Sequence, residues 1–135
     1  ANKEELFSEK QTENKILEEN NQTFTLNSKI PANVVNAIFY AARTQDFQIL
    51  GELCDPEGEG DGDTRRICDL AFSSKENGAE FVKVFKNGKV SGSTTNESNE
   101  WGDFADVPIL FGPKGDKKET MNLVKRDGKW YLSSF

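Results

Sequence analysis

The chain has 135 residues, 35% of them apolar and 30% charged, which suits one ordinary domain. Its 23 acidic side chains outnumber 17 basic ones for a net charge of -6, and the basic residues form no stripe that could track phosphates, so nucleic acid is excluded as the expected partner. Histidine is absent, which removes the usual near-neutral base and the commonest imidazole ligand; chemistry would have to rest on Asp, Glu, Tyr, Lys or Cys, and no cofactor is expected.

Residues 1–27 read as a polar tail or leading segment ahead of a domain over residues 28–135, because Leu6, Phe7, Ile16 and Leu17 do not repeat at a sustained helical spacing. Phe24 and Leu26 alternate with Thr25 and Asn27, as a short edge strand would. Pro31 suits the first turn of a helix running to about Arg43, with Val34, Val35, Ile38 and Ala42 as its buried stripe and Tyr40 on the opposite face. The longest apolar stretch, Val34 to Ala42, is interrupted by Asn36 and is too short to span a membrane. A second short helix follows, with Asp46 as its N-cap and Phe47, Leu50 and Leu53 facing the core, and Pro56 ends it.

Cys54 and Cys68 flank the flexible acidic run Glu57 to Asp63, and two readings stand side by side. Either they form a disulfide, which closing a loop of about 15 residues would make worth about 3 kcal/mol, or they are two buried thiols on facing helices. A disulfide would imply an oxidising compartment. The alternating carboxylates Asp55, Glu57, Glu59, Asp61 and Asp63 suggest calcium, but neither register supplies the bidentate Glu that an EF-hand loop needs at its last position, where Arg66 or Cys68 stands. No metal site is expected there, only a solvated, mobile loop.

Ile67, Leu70 and Ala71 mark a third helical segment, and Ser73 with Glu76 has the spacing of a capping box for a fourth, which would carry Phe81, Val84 and Phe85 on one face. Asn87-Gly88 either stops this helix or turns a β-hairpin, and the helix reading is preferred. From Lys89 the period becomes two, with strands expected near Lys89–Thr95, Trp101–Phe111, Glu119–Arg126 and Lys129–Phe135 in an antiparallel sheet. Pro108 points to an edge or a bulge, because it cannot donate a ladder bond, and Asp127-Gly128 reads as a tight hairpin turn.

Three stretches in this order, Pro31–Leu53 with its Gln45-Asp46-Phe47 break, Ala105–Pro113, and Glu119–Trp130, resemble the nuclear transport factor 2-like superfamily. Within it the chain is most similar to small bacterial members, often exported or lipoprotein-type, with lumazine-binding-like or polyketide-cyclase-like descriptions. The resemblance implies an α+β fold in which N-terminal helices pack on a curved antiparallel sheet of about four to five strands, a cone-shaped barrel. It implies little about function, since that frame hosts isomerases, dehydratases, transport adaptors and ligand-binding domains alike.

Trp101, Phe104, Trp130 and Tyr131 are candidates to line the open end of such a cone, with Tyr40 or Asp106 as a polar handle. The same aromatic residues would also serve simply to fill a small barrel, and Asp106, at an alternating strand position, is as expected of a residue facing water. Ser91, Ser93, Thr94 and Thr95 have no His to activate them. The leading expectation is a non-catalytic, exported bacterial domain that binds a small apolar or amphipathic ligand or a protein partner through its sheet face, with a homodimer through that face as a further expectation. The alternative is an isomerase, dehydratase or cyclase using a carboxylate and a Tyr hydroxyl inside the cone. The opening Ala1, with no initiator Met, adds the expectation that a leader has been removed and that the domain is extracytoplasmic, whether periplasmic, secreted or lipid-anchored.

Overall fold

The computed structural model describes residues 24–135, so the expected tail lies outside the described residues except for its last four positions. Helix α1 (Pro31–Thr44) begins on a proline whose fixed φ suits the first turn, and ends where Gln45 takes a left-handed φ of 60° and donates its N–H to the Ala41 carbonyl. Its buried surface is wider than the expected stripe: Ala37, Phe39 and Ala41 are buried together with Val34, Val35, Ile38 and Ala42. The helix lies between the sheet and the other helices, which is why more than one of its faces is apolar.

The second helix shortens to a 3₁₀ turn at Gln48–Glu52, and Asp46 accepts the Gln48 N–H within a local turn instead of capping an α-helix. Gly51 is a poor helix former, and the chain leaves helical geometry at once because Cys54 bridges in parallel to Leu132 of the sheet. Leu50 and Leu53 still reach the core. Helix α2 (Gly62–Asp69) starts ahead of the expected apolar positions because Asp61 caps it, accepting the Thr64 N–H at 2.8 Å. A 3₁₀ turn at Leu70–Phe72 follows.

The capping box does not form. The Ser73 hydroxyl donates to the Asp69 carbonyl, a 3₁₀ turn occupies Lys75–Gly78, and α3 (Ala79–Phe85) starts only after Gly78. Gly78 lies under the Phe47 ring, where an added Cβ would come within 2.1 Å of a ring carbon, so tight packing sets this helix start and not a side-chain cap. Asn87-Gly88 terminates α3, consistent with the helix reading, and the Asn87 amide donates to the Pro113 carbonyl at 2.8 Å.

Five antiparallel strands follow: β1 (Lys89–Val90), β2 (Thr95–Asn99), β3 (Gly102–Phe111), β4 (Lys117–Arg126) and β5 (Lys129–Ser134). The sheet runs β1-β3-β4-β5, with β2 also paired to β3, and it is open. Phe24–Leu26 forms no strand. Ser28, at the start of the domain, instead meets the outer edge of β5, its carbonyl accepting the Trp130 N–H at 2.7 Å. Further along the same edge the Leu132 N–H donates to the Leu53 carbonyl and the Asp61 N–H to the Ser133 carbonyl, so loops cover it.

The strand expected over Lys89–Thr95 forms only at its two ends, with β2 starting at Thr95 and running beyond the expected range to Asn99, and Pro108 supplies the reason. Between the pairs Val90↔Ile109 and Thr95↔Asp106, residues 91–94 stand opposite only 107 and 108, a bulge in the edge strand. The Pro108 carbonyl accepts the Ser91 N–H at 2.8 Å, so its missing N–H falls on this same side. The proline is thus in the interior strand β3, and the bulge it induces lies in its neighbour. At the other end of the sheet Asp127 (φ 52°) and Gly128 (φ 80°) both take positive φ, as a two-residue hairpin turn requires.

All the helices pack on one face of the sheet. Ala105, Val107 and Ile109 of β3, Met121 and Leu123 of β4 and Trp130 and Leu132 of β5 project into that layer and are buried. The opposite face carries Phe104, Asp106, Pro108, Asn122, Val124 and Tyr131, and no described helix covers it.

Candidate functional site

The six candidate residues divide among four places. Trp130 is buried in the layer between sheet and helices. Phe104 and Tyr131 lie on the outer face, flanking Val124 in one row across β3, β4 and β5, and Asp106 occupies the next row. There the Asn122 amide donates to Asp106 at 2.6 Å and accepts the Ser134 hydroxyl at 2.6 Å. Trp101 projects from the β2–β3 turn at 78% exposure, and Tyr40 stacks on Phe24 with centroids 5.2 Å apart. Tyr40 and Asp106 are thus separated by the sheet, and the six residues do not converge on one pocket.

A groove of about 550 Å³ opens elsewhere, between α2 and α3. Its apolar lining comes from Ile67 of α2, Leu70, Phe81, Val84 and Phe85 of α3, and Phe135 after β5. The ring of Phe85 stands 5.1 Å from Phe81 and 5.6 Å from Phe135, so one aromatic cluster serves as both groove floor and outer layer of the core. Polar side chains sit on the rim: Asp63, Arg66 and Asp69 from α2, Glu80 from α3, and Asn77 just before it. A lining of this size, mostly apolar with a few polar groups at the margin, is what small-molecule sites present. Sequence reasoning places Phe81, Val84 and Phe85 on one helix face but does not name them as candidates for a site. The signal that was present is a stripe wider than one helix partner needs, matched by Ile67 and Leu70 on the preceding segment.

The acidic loop is tied to the fold at two of its carboxylates, where a solvated and mobile segment was expected. Asp55 has a side chain only 1% exposed and takes two hydrogen bonds from the Arg126 guanidinium, at 3.1 and 2.9 Å. That guanidinium holds the Asp55 carboxyl below the ordinary carboxylate range; burial opposes the shift, and the backbone N–H of Glu57 supports it. For Asp61, burial pushes the pKa up, but the backbone N–H groups of Thr64 and Phe135, the Thr64 hydroxyl and Arg65 outweigh it, and the net direction is down. Asp63 pairs with Arg66 one turn along α2. Among the described residues no group of three or more His, Cys, Asp or Glu side chains is arranged to hold a metal ion.

Acid stability follows from the first two groups. A carboxylate whose pKa is lower folded than unfolded contributes stability that is complete above its unfolded value, near 4, and is lost as pH falls through the folded value. Denaturation midpoints measured from pH 7 to about pH 2 are therefore expected to fall below about pH 4. The fall should be shallower in Asp55→Asn/Asp61→Asn, which loses stability at neutral pH instead. Identical acid limbs in parent and variant would rule these two residues out as the source.

Cys54 and Cys68 are joined in a disulfide, which resolves the two readings of the pair; their Cα atoms are 6.2 Å apart. The bond ties α2, one wall of the groove, to the segment that bridges to β5. No helix among the described residues is long and apolar enough to cross a membrane. Comparison with protein-family models, with curated proteins and with solved structures finds no match to this chain.

Proposed function

We propose that this domain binds a small amphipathic ligand, seating the ligand's apolar part in the α2–α3 groove, and performs no chemistry on it. The observation that carries this reading is the groove itself, about 550 Å³ lined by Phe81, Phe85 and Phe135. Between α1 and the sheet, by contrast, Val107, Ile109, Met121 and Leu123 are at 0% exposure, so the space where a cone-type enzyme would hold its substrate is occupied by side chains. The disulfide supports an extracytoplasmic setting, where such bonds persist. Membership of the nuclear transport factor 2-like superfamily, with a sheet curled into a cone, stays part of this proposal; it rests on the order of helices before an antiparallel sheet and on α1 lying across one sheet face. A homodimer through the outer sheet face is a lesser proposal, since its apolar row Phe104–Val124–Tyr131 is bordered by the hydrogen-bonded Asp106–Asn122–Ser134 ladder.

Titration with phenylbutanol, a neutral probe followed by amide-resolved NMR, tests the groove. Saturable shifts are expected at Ile67, Leu70, Val84 and Phe85, with a dissociation constant of a few millimolar, at about 0.3 kcal/mol per non-hydrogen atom. Val84→Asp, on the half-buried groove wall, should abolish them while the far-ultraviolet dichroism stays that of the parent. Shifts spread evenly over the surface, or none that saturate, would remove the reading.

A further inference from the structure

We propose that the ligand of the groove is a small primary amine, bound as its ammonium, on an aromatic or alkyl body of about ten carbons, a size suited to pockets of this volume. This rests on the groove being the binding site, as proposed above, and adds the chemistry of the ligand's polar end.

The argument is one of charge at the rim. Arg66 is the cationic side chain of the groove lining among the described residues, and its guanidinium is taken by Asp63 of the same helix. Asp69 on α2 and Glu80 on α3 then contribute carboxylates from the two walls with no groove cation left to answer them. An anionic ligand would have to draw Arg66 off Asp63 and set its own charge beside Asp69 and Glu80. A neutral one would leave both carboxylates unused. An ammonium carries three donors and no acceptor, and the rim offers it three acceptor side chains: Asp69, Glu80 and the amide oxygen of Asn77.

Two further features act in the same direction. The floor of Ile67, Phe81 and Phe85 is a low-dielectric wall beneath these charges, and a cleft of one sign with such walls concentrates its field at the mouth. The chain as a whole carries -6, so the long-range field also favours a cation. The amine's apolar body would cover the aromatic floor while its nitrogen stayed at the wet rim, so binding does not require a buried unpaired charge.

Three probes of matched size separate the possibilities: phenylbutylamine, phenylbutanol and phenylbutyrate, titrated against the whole protein at low salt by amide-resolved NMR. The amine is expected to bind about three- to tenfold more tightly than the alcohol, the increment of one or two exposed ion pairs, and the carboxylate more weakly than either. The preference should shrink in about 0.5 M salt, where exposed charges are screened. In Asp69→Asn/Glu80→Gln the amine should fall to the affinity of the alcohol, while the alcohol keeps its own, which shows that the variant's groove is intact. Equal binding of amine and alcohol by the parent would overturn the inference and leave the groove reading standing. A preference that survives in the double variant would overturn it too. If none of the three probes shifts the groove residues, both this inference and the groove reading fall.

Discussion

Replacing Trp130 by alanine is expected to cost the domain about 3–5 kcal/mol, the range for deleting a large aromatic side chain from a packed interior. Trp130 is 6% exposed and lies on the helix-facing side of β5, in the same buried cluster as Val34, Ile38 and Leu132. Its cross-strand partner is Lys125, whose ammonium sits 5.6 Å from the ring centroid, so truncation also removes a cation–π contact. The backbone bond from Trp130 to Ser28 does not depend on the side chain, so that attachment should persist and the loss should report the packing and the cation–π contact of the side chain. Trp101, at 78% exposure, is the internal control: Trp101→Ala should change stability by no more than about 0.5 kcal/mol. The domain's two tryptophans also allow Trp130 emission to be read alone in Trp101→Phe. Chemical denaturation decides the matter, and equal midpoints for the two alanine variants would show that Trp130 does not pack where the fold puts it.

Removing the disulfide should be nearly as costly. Cys54→Ala/Cys68→Ala is expected to lose about 2–4 kcal/mol, because closing a loop of about 15 residues removes roughly 3 kcal/mol worth of freedom from the unfolded chain. The loop holds Gly58, Gly60 and Gly62, so the unfolded chain is flexible there and has much freedom to lose. The folded side matters as well. Cys68 is 6% exposed within the core, and α2 is otherwise anchored by its cap and by bonds between Asp61 and the end of β5. Reduction with a thiol should therefore lower the denaturation midpoint of the parent and leave the double variant unchanged. It should also weaken phenylbutanol binding, since α2 forms one wall of the groove. A parent whose midpoint shifts no more than the variant's on reduction would contradict a bonded pair.

Legibility in the sequence followed how local the deciding interaction was. Helix α1 was readable because Pro31 and the spacing of Val34, Val35 and Ile38 act within a few turns of one chain segment. The β4–β5 hairpin was readable because Asp127-Gly128 can take the positive φ that a two-residue turn requires at both positions. The Ser73–Glu76 box had the right spacing and still did not form, since packing of Gly78 against Phe47, far away in sequence, sets the start of α3. For the same reason the aromatic candidates scattered. Period two separates Trp130 from Tyr131 along β5, but it carries no information on which face Phe104 of β3 shares or which face the helices cover; the register decides that.

Composition and pattern by themselves determined the α+β class, the antiparallel pairing of the C-terminal half, the hairpin turn and the cysteine pair as one of two readings. Each depends on φ preferences or hydrophobic period along a short stretch. Tertiary structure alone decided that Cys54 and Cys68 are bonded, that Asp55 turns inward to Arg126, and that Ile67 and Leu70 face Phe81 and Phe85 across a groove. These contacts join segments up to 71 positions apart, as with Asp55 and Arg126. Such a meeting depends on how the sheet and helices pack as a whole, and no local propensity encodes it.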